Sequence, residues 1–241
     1  MFKIPRKPAD IFQEITEDYK NVFGDDLLSI TLYGSAAKGE YLYKKSDINF
    51  VITLTEKGID NLIRCLPLIP KWQKRNVSTP LLLTKEYIES SLDTFPIEFL
   101  NMNMNYQVIY GDDVLKDILI EEEDLRLQCE QELRRKLLYL RKEFLNSAAN
   151  TGQLKILISQ SMATFTSIFS TLLKLADFDV PRKRADVFKK IAEVYRLNYA
   201  VFDDLLQIRE KKKKVAKQQL HTLMEQYILE IRKVTQAVDR F

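Results

Sequence analysis

The stretch Leu32-Tyr33-Gly34-Ser35-Ala36-Ala37-Lys38-Gly39-Glu40-Tyr41-Leu42-Tyr43-Lys44-Lys45-Ser46-Asp47-Ile48-Asn49-Phe50-Val51 decides how this chain is read. The apolar, β-branched run Leu27 to Tyr33 leads into it and stops at Gly34, which predicts a strand ending in a turn. Glycine lets the backbone come close to a ligand, and the Ser35 hydroxyl with the N–H groups of a helix-like turn can donate to phosphate oxygens. A second strand is predicted from Ile48 to Leu54, with Asp47 at its start. Residues two apart share a strand face, so Asp47, Asn49 and Val51 point one way and Ile48, Phe50 and Ile52 the other. A carboxylate and an amide on one face make a platform for a hard cation, because Mg²⁺ prefers oxygen ligands.

Around this centre, strand-like and helix-like segments alternate. Ala9 to Phe23 carries Ile11, Phe12, Ile15, Tyr19, Val22 and Phe23 at helical spacing. Gly58 to Lys74 reads as helical, bent or ended by Pro67 and Pro70. Leu81 to Leu83 reads as a short strand, followed by a helix from Lys85 to Ser90. Phe95 to Met102 is expected to be a third strong strand. It holds Glu98 inside Phe95-Pro96-Ile97-Glu98-Phe99-Leu100, where a charge is costly unless it meets a cation or a partner. Tyr106 to Tyr110 is extended, and Gly111-Asp112 is expected to turn into a helix.

From Glu121 the texture changes: Gly152 is the only glycine and Pro181 the only proline. Leu133, Leu137, Leu140 and Phe144 trace one helix face. Leu154, Leu157, Ile158, Phe165, Ile168, Phe169 and Leu172 trace a second, and Leu220, Leu223, Tyr227, Ile231, Val234 and Val238 a third. Breaks are expected near 146–152, 178–181 and 197–199, and Lys211 to Lys214 is expected to extend a helix as a solvated face. Short connections between long helices favour an antiparallel bundle. The expected division is a domain at 1–118 and a helical bundle at 119–241.

Composition narrows the classes. The chain has 241 residues, 46% hydrophobic and 29% charged, the balance of an ordinary globular protein. Two cysteines, Cys65 and Cys129, are too few for a disulfide framework and are read as small core residues. One histidine, His221, argues against His-based metal or triad chemistry and is read as a surface or packing residue. No apolar run is read as approaching the roughly 20 residues of a bilayer span and no secretory signal is read at the start, so a cytoplasmic setting without a membrane is the expectation. Residues 1–115 sum to −3 and residues 116–241 to +6. A basic second half suits an anionic partner, but mildly.

The central motif resembles the signature of the DNA polymerase beta-type nucleotidyltransferase superfamily: Gly-Ser, a spacer of about a dozen residues, then Asp-x-Asp/Glu, with a third carboxylate on a later strand. Within it the chain is most similar to small prokaryotic proteins of kanamycin-nucleotidyltransferase-like layout. That resemblance implies an α+β fold, with a mixed β-sheet nucleotidyltransferase domain followed by an α-helical bundle. It implies that Gly34 and Ser35, with Lys38 and Lys44 (and Lys45 beside them), bind the phosphates of a nucleoside triphosphate. It implies Asp47, Asn49 and Glu98 as the metal positions, with Asp47 and Glu98 catalytic and Glu98 taking the acceptor's proton. Asn49 departs from the pattern, since it offers a carbonyl oxygen but no charge. One Mg²⁺ brought in with the triphosphate is therefore expected, with a second ion weak or missing.

Each residue also has a plainer reading. Ser35 can be a helix cap, Asp47 a turn residue, Asn49 a hydrogen-bonding group within the sheet, and Glu98 the partner of a lysine or arginine. The function expected is transfer of a nucleotidyl group to an acceptor hydroxyl. The alternative is a non-catalytic nucleotide-binding or antitoxin-like interaction protein whose helical half docks a partner. The partners expected are the nucleoside triphosphate and an acceptor that is a protein, a nucleic acid or a small molecule, with room for a homodimer.

Overall fold

The computed structural model describes residues 3–147, 150–213 and 215–238. The chain divides into two compact units, Met1–Ile120 and Glu121–Phe241.

The first unit is built on a four-stranded mixed sheet. Its strands are β1 (Leu27–Tyr33), β2 (Asn49–Leu54), β3 (Leu81–Leu83) and β4 (Tyr106–Gly111), in the order β3-β2-β1-β4. β1 pairs antiparallel with β2 and β4, while β3 lies parallel to β2. Helix α1 (Phe12–Phe23) lays Ile15, Tyr19 and Phe23 on one face of the sheet, against Ile30, Leu32, Phe50 and Ile52. The expected helix at 58–74 is three short pieces: α2 (Glu56–Ile59), a 3-10 turn (Leu62–Cys65) and α3 (Leu68–Gln73). Pro67 caps α3, so the proline does end one piece and start the next. Trp72 and Cys65 complete this core.

The other sheet face is covered by α4 (Lys85–Ser90) and α5 (Pro96–Met104), with Val51, Ile88, Phe99, Met102 and Leu115 buried together. Here the sequence expectation fails: Phe95–Met102 is a helix, not a strand. Pro96 stands at the first helical position, where its missing N–H costs nothing, and Phe99 and Met102 fall three apart on the buried side. The run holds a single β-branched residue, Ile97, and short apolar runs do not distinguish strand from helix by periodicity. Gly111 does close β4, but no helix follows until Glu122. A Cβ at Gly111 would meet the Leu28 carbonyl oxygen at 1.9 Å, so only glycine fits where β4 passes β1.

The second unit contains α6 (Glu122–Ser147), α7 (Thr151–Leu175), α8 (Arg184–Val194), α9 (Tyr199–Arg209) and α10 (Lys217–Val238). Asn150 caps α7 by accepting from the N–H groups of Gly152 and Gln153, and Asn198 caps α9. α7 is long and apolar enough to cross a membrane by length and composition, yet over half of its most apolar window is buried among the other helices. Phe165, Phe169, Phe188, Phe202 and Tyr227 interlock at its centre, mostly edge to face. Glu230 is buried but paired: it accepts from the Asn198 N–H at 3.0 Å and from Lys233 at 2.8 Å, tying α10 to the start of α9. Lys211 to Lys213 do not extend α9. Lys211 turns the chain with φ +60°, and Lys212 and Lys213 pair with Glu210 and Asp204. Lys214 lies outside the described residues. His221 packs edge-on against Phe144, and Cys65 and Cys129 are buried thiols.

Candidate functional site

β1 delivers the chain to a turn of 3-10 helix, Gly34–Ala36, at the end of the sheet where β2 begins. Gly34 has φ +75°, a conformation costly for any residue with a side chain. Space is not what selects glycine here, because its added Cβ would make only ordinary contact, 3.6 Å from Asn49 Nδ2. The Gly34 N–H donates to the Asn105 carbonyl at 3.2 Å, which fixes the turn to the end of α5. The Lys38 and Glu40 N–H groups fold back to the carbonyls of Gly34 and Ser35 at 3.0 and 2.9 Å. Ser35 is left exposed, with no protein partner for its hydroxyl among the described residues.

Tyr33, the last residue of β1, pairs with Asn49, the first of β2. Asp47 stands just before β2, exposed, with no hydrogen bond or ion pair among the described residues. By strand alternation Asn49 lies on the face that continues to buried Val51, and Asp47 precedes it by two residues. The structure thus brings Gly34, Ser35 and Asn49 to one sheet end, with Asp47 adjoining. Lys38 pairs with Glu40 at 3.6 Å, and Lys44, at φ +63°, lies over the Tyr43 ring at 5.3 Å.

Glu98 does not occupy the place expected of it. It is exposed in the first turn of α5, where a carboxylate favours the helix dipole, and not buried on a strand. None of β1, β2, β3 or β4 contains an acidic residue, and β3, the neighbour of β2, is Leu81-Leu82-Leu83. Among the described residues, no group of three or more His, Cys, Asp or Glu gathers as a metal cluster. The donor set does not fit a two-metal centre, whose paired ions need bridging carboxylates. Asp47 and Asn49 can offer oxygen atoms to one ion already bound to phosphates.

A second feature, in the helical unit, escaped the sequence reading. Arg184 and Arg209 lie near one another: burial lowers the Arg184 pKa and the Arg209 charge lowers it further, against a rise from Glu210. Arg184 Nε donates to Thr166 at 3.0 Å, but Arg209 Nε is buried with no hydrogen-bond partner among the described residues. Glu210 interacts with both charges, so their repulsion is partly offset within the helical unit. The two residues are 25 positions apart in the sequence, and no local spacing announces them.

No family model matches the chain, and no curated relative is found. The chain is similar in structure to spectinomycin adenyltransferase AAD(9) from Enterococcus faecialis, solved with ATP and spectinomycin. The two share 11% sequence identity and a TM-score of 0.54, over 93% of this chain and 99% of that one. The α+β fold of a nucleotidyltransferase, which the Gly34–Asn49 motif led the sequence to resemble, is the fold this chain has.

Proposed function

We propose that this protein binds a nucleoside triphosphate at the Gly34–Ser35 turn and transfers its nucleotidyl group slowly to an acceptor hydroxyl. The observation that carries the reading is the glycine-tipped turn beside Asn49 and Asp47, with the Ser35 hydroxyl unclaimed among the described residues. Ser35 donates to a phosphate oxygen, and Lys38 and Lys44 balance triphosphate charge. Asp47 and Asn49 would hold, through their side-chain oxygens, a Mg²⁺ bound to the triphosphate, and the ion would neutralise phosphate charge there. The acceptor oxygen bonds to the α-phosphorus as the bond to the β-bridging oxygen breaks. Pyrophosphate leaves and the hydroxyl proton passes to water. Glu98 has no defined part in this step. With one carboxylate at β2, charge stabilisation is weaker than in a two-carboxylate site and turnover is slow.

A second reading, nucleotide binding without transfer by an antitoxin-like interaction protein, is favoured by the lack of any acidic residue on the four strands. One experiment separates them. Labelled triphosphates with Mg²⁺ and cell extract as acceptor source should give pyrophosphate release that Asp47→Ala abolishes. Saturable binding with no release selects the second reading, and no binding removes both.

A further inference from the structure

Three segments meet where β2 begins. The turn at 74–76 is held to β2 by the Ile48 N–H, which donates to the Asn76 carbonyl at 2.9 Å. The N-terminal segment lies on this turn, its Lys3 carbonyl accepting from Arg75 Nε at 3.3 Å. It then reaches the loop after Ser35, where the Tyr41 hydroxyl donates to the Pro5 carbonyl at 2.9 Å. These contacts bring six exposed cations to one end of the sheet: Lys3, Arg6, Lys7, Lys44, Lys45 and Lys74. Of the nearby acids Asp47 alone is unengaged among the described residues, one carboxylate against six cations. Asp10 accepts from the N–H groups of Arg6 and Lys7, Glu14 pairs with Arg75 and Lys71, and Glu40 pairs with Lys38. Positive charge is thus concentrated locally in a half of the chain whose balance is −3.

The loop adds an apolar element. Leu42 is 60% and Tyr43 47% exposed, although the loop is held in shape. The Leu42 carbonyl accepts from Lys45 and Ser46 at 3.0 and 2.9 Å, and the Leu42 N–H donates to Ser46 Oγ at 3.0 Å. An ordered, exposed aromatic ring among cations is a stacking platform beside a phosphate track, the chemistry of a single-stranded nucleic acid, whose bases are free to stack. A duplex or an anionic membrane would meet the charge but leave the ring unused.

We propose that this rim binds single-stranded nucleic acid, with phosphates on Lys3, Arg6, Lys7 and Lys45 and a base against Tyr43. A strand held there sets its terminal hydroxyl at the end of the sheet that carries Ser35 and Asp47. Its use as acceptor rests on the transfer reading above, whereas its binding does not.

The test is fluorescence anisotropy of labelled 12-nucleotide oligouridylate and oligodeoxythymidylate, and of a duplex of equal length, with no triphosphate present. Triphosphate binding is measured separately without oligonucleotide, so the two readings can fail independently. The expected result is single-strand binding stronger than duplex binding. With four phosphates contacted, the log–log dependence of affinity on salt should have a slope of about −3. Tyr43→Ala should weaken binding about tenfold, the effect of losing one stacked base. Arg6→Glu with Lys45→Glu should weaken it further and flatten the salt slope, and melting curves confirm that each variant is folded. No binding at low salt, equal or stronger duplex binding, or affinity unchanged by these substitutions overturns the proposal.

Discussion

Tyr33 and Asn49 face each other across β1 and β2, and the next residue after Tyr33, Gly34, therefore turns directly beside the Asn49 side chain. The turn that offers Ser35 is held by backbone conformation at Gly34 more than by packing. Gly34→Ala should fit sterically but cost about 1–2 kcal/mol for its positive φ. Denaturant unfolding should show that modest loss, and triphosphate affinity should fall by more than stability does.

Asn49 is where the motif lacks its second carboxylate, so Asn49→Asp tests what that charge is worth. Without divalent cations, the new carboxylate near Asp47 should lower the melting temperature by like-charge repulsion. With Mg²⁺ and triphosphate the loss should reverse, and pyrophosphate release should rise several-fold or more. A variant no faster than the parent, with no Mg²⁺-dependent recovery of stability, would show that the β2 face does not meet a metal-bound phosphate.

The strands, the first helix and the helical seams were legible because their apolar residues keep a clear period over long windows, and in the last helix every seam residue from Leu220 to Val238 is buried. The Gly-Ser turn was legible because its chemistry is local in sequence. Glu98 was misplaced because the six residues around it are too short and too apolar for periodicity to choose a helix over a strand, and only packing against Val51 and Leu115 decides it. The Lys211 turn was missed because lysine is a good helix former, and here a left-handed backbone and two ion pairs override that preference. The Arg184–Arg209 pair depends on how α8 and α9 pack, which no sequence window contains.

That arginine pair gives a stability prediction of unusual sign. Arg209→Met removes a like charge from Arg184, which Glu210 only partly offsets, and a buried Nε with no partner among the described residues. In buffer free of phosphate, thermal melting should show the variant as stable as the parent or more so.

Glu14 joins α1 to α3 through Lys71 at 3.0 Å and to the turn after α3 through Arg75 at 2.5 Å. The hydrogen bond from Arg75 lowers its pKa, opposed by partial burial and assisted by Lys71. A carboxylate whose folded pKa is depressed adds stability above its unfolded pKa, about 4.3, and loses that contribution as pH falls through the folded value. Glu14→Gln should therefore melt below the parent at neutral pH, and the gap should close as pH falls from about 5 toward 3.

The central claim is that the Gly34–Ser35 turn and Asp47 receive a triphosphate, and calorimetric titration with each of the four ribonucleoside triphosphates and Mg²⁺ tests it most directly. The predicted result is one saturable site for at least one triphosphate, weakened about tenfold by Ser35→Ala, in line with the loss of one charge-assisted hydrogen bond, and lost in Asp47→Ala. No heat of binding for any of the four at millimolar concentration, or binding that both substitutions leave unchanged, would contradict it.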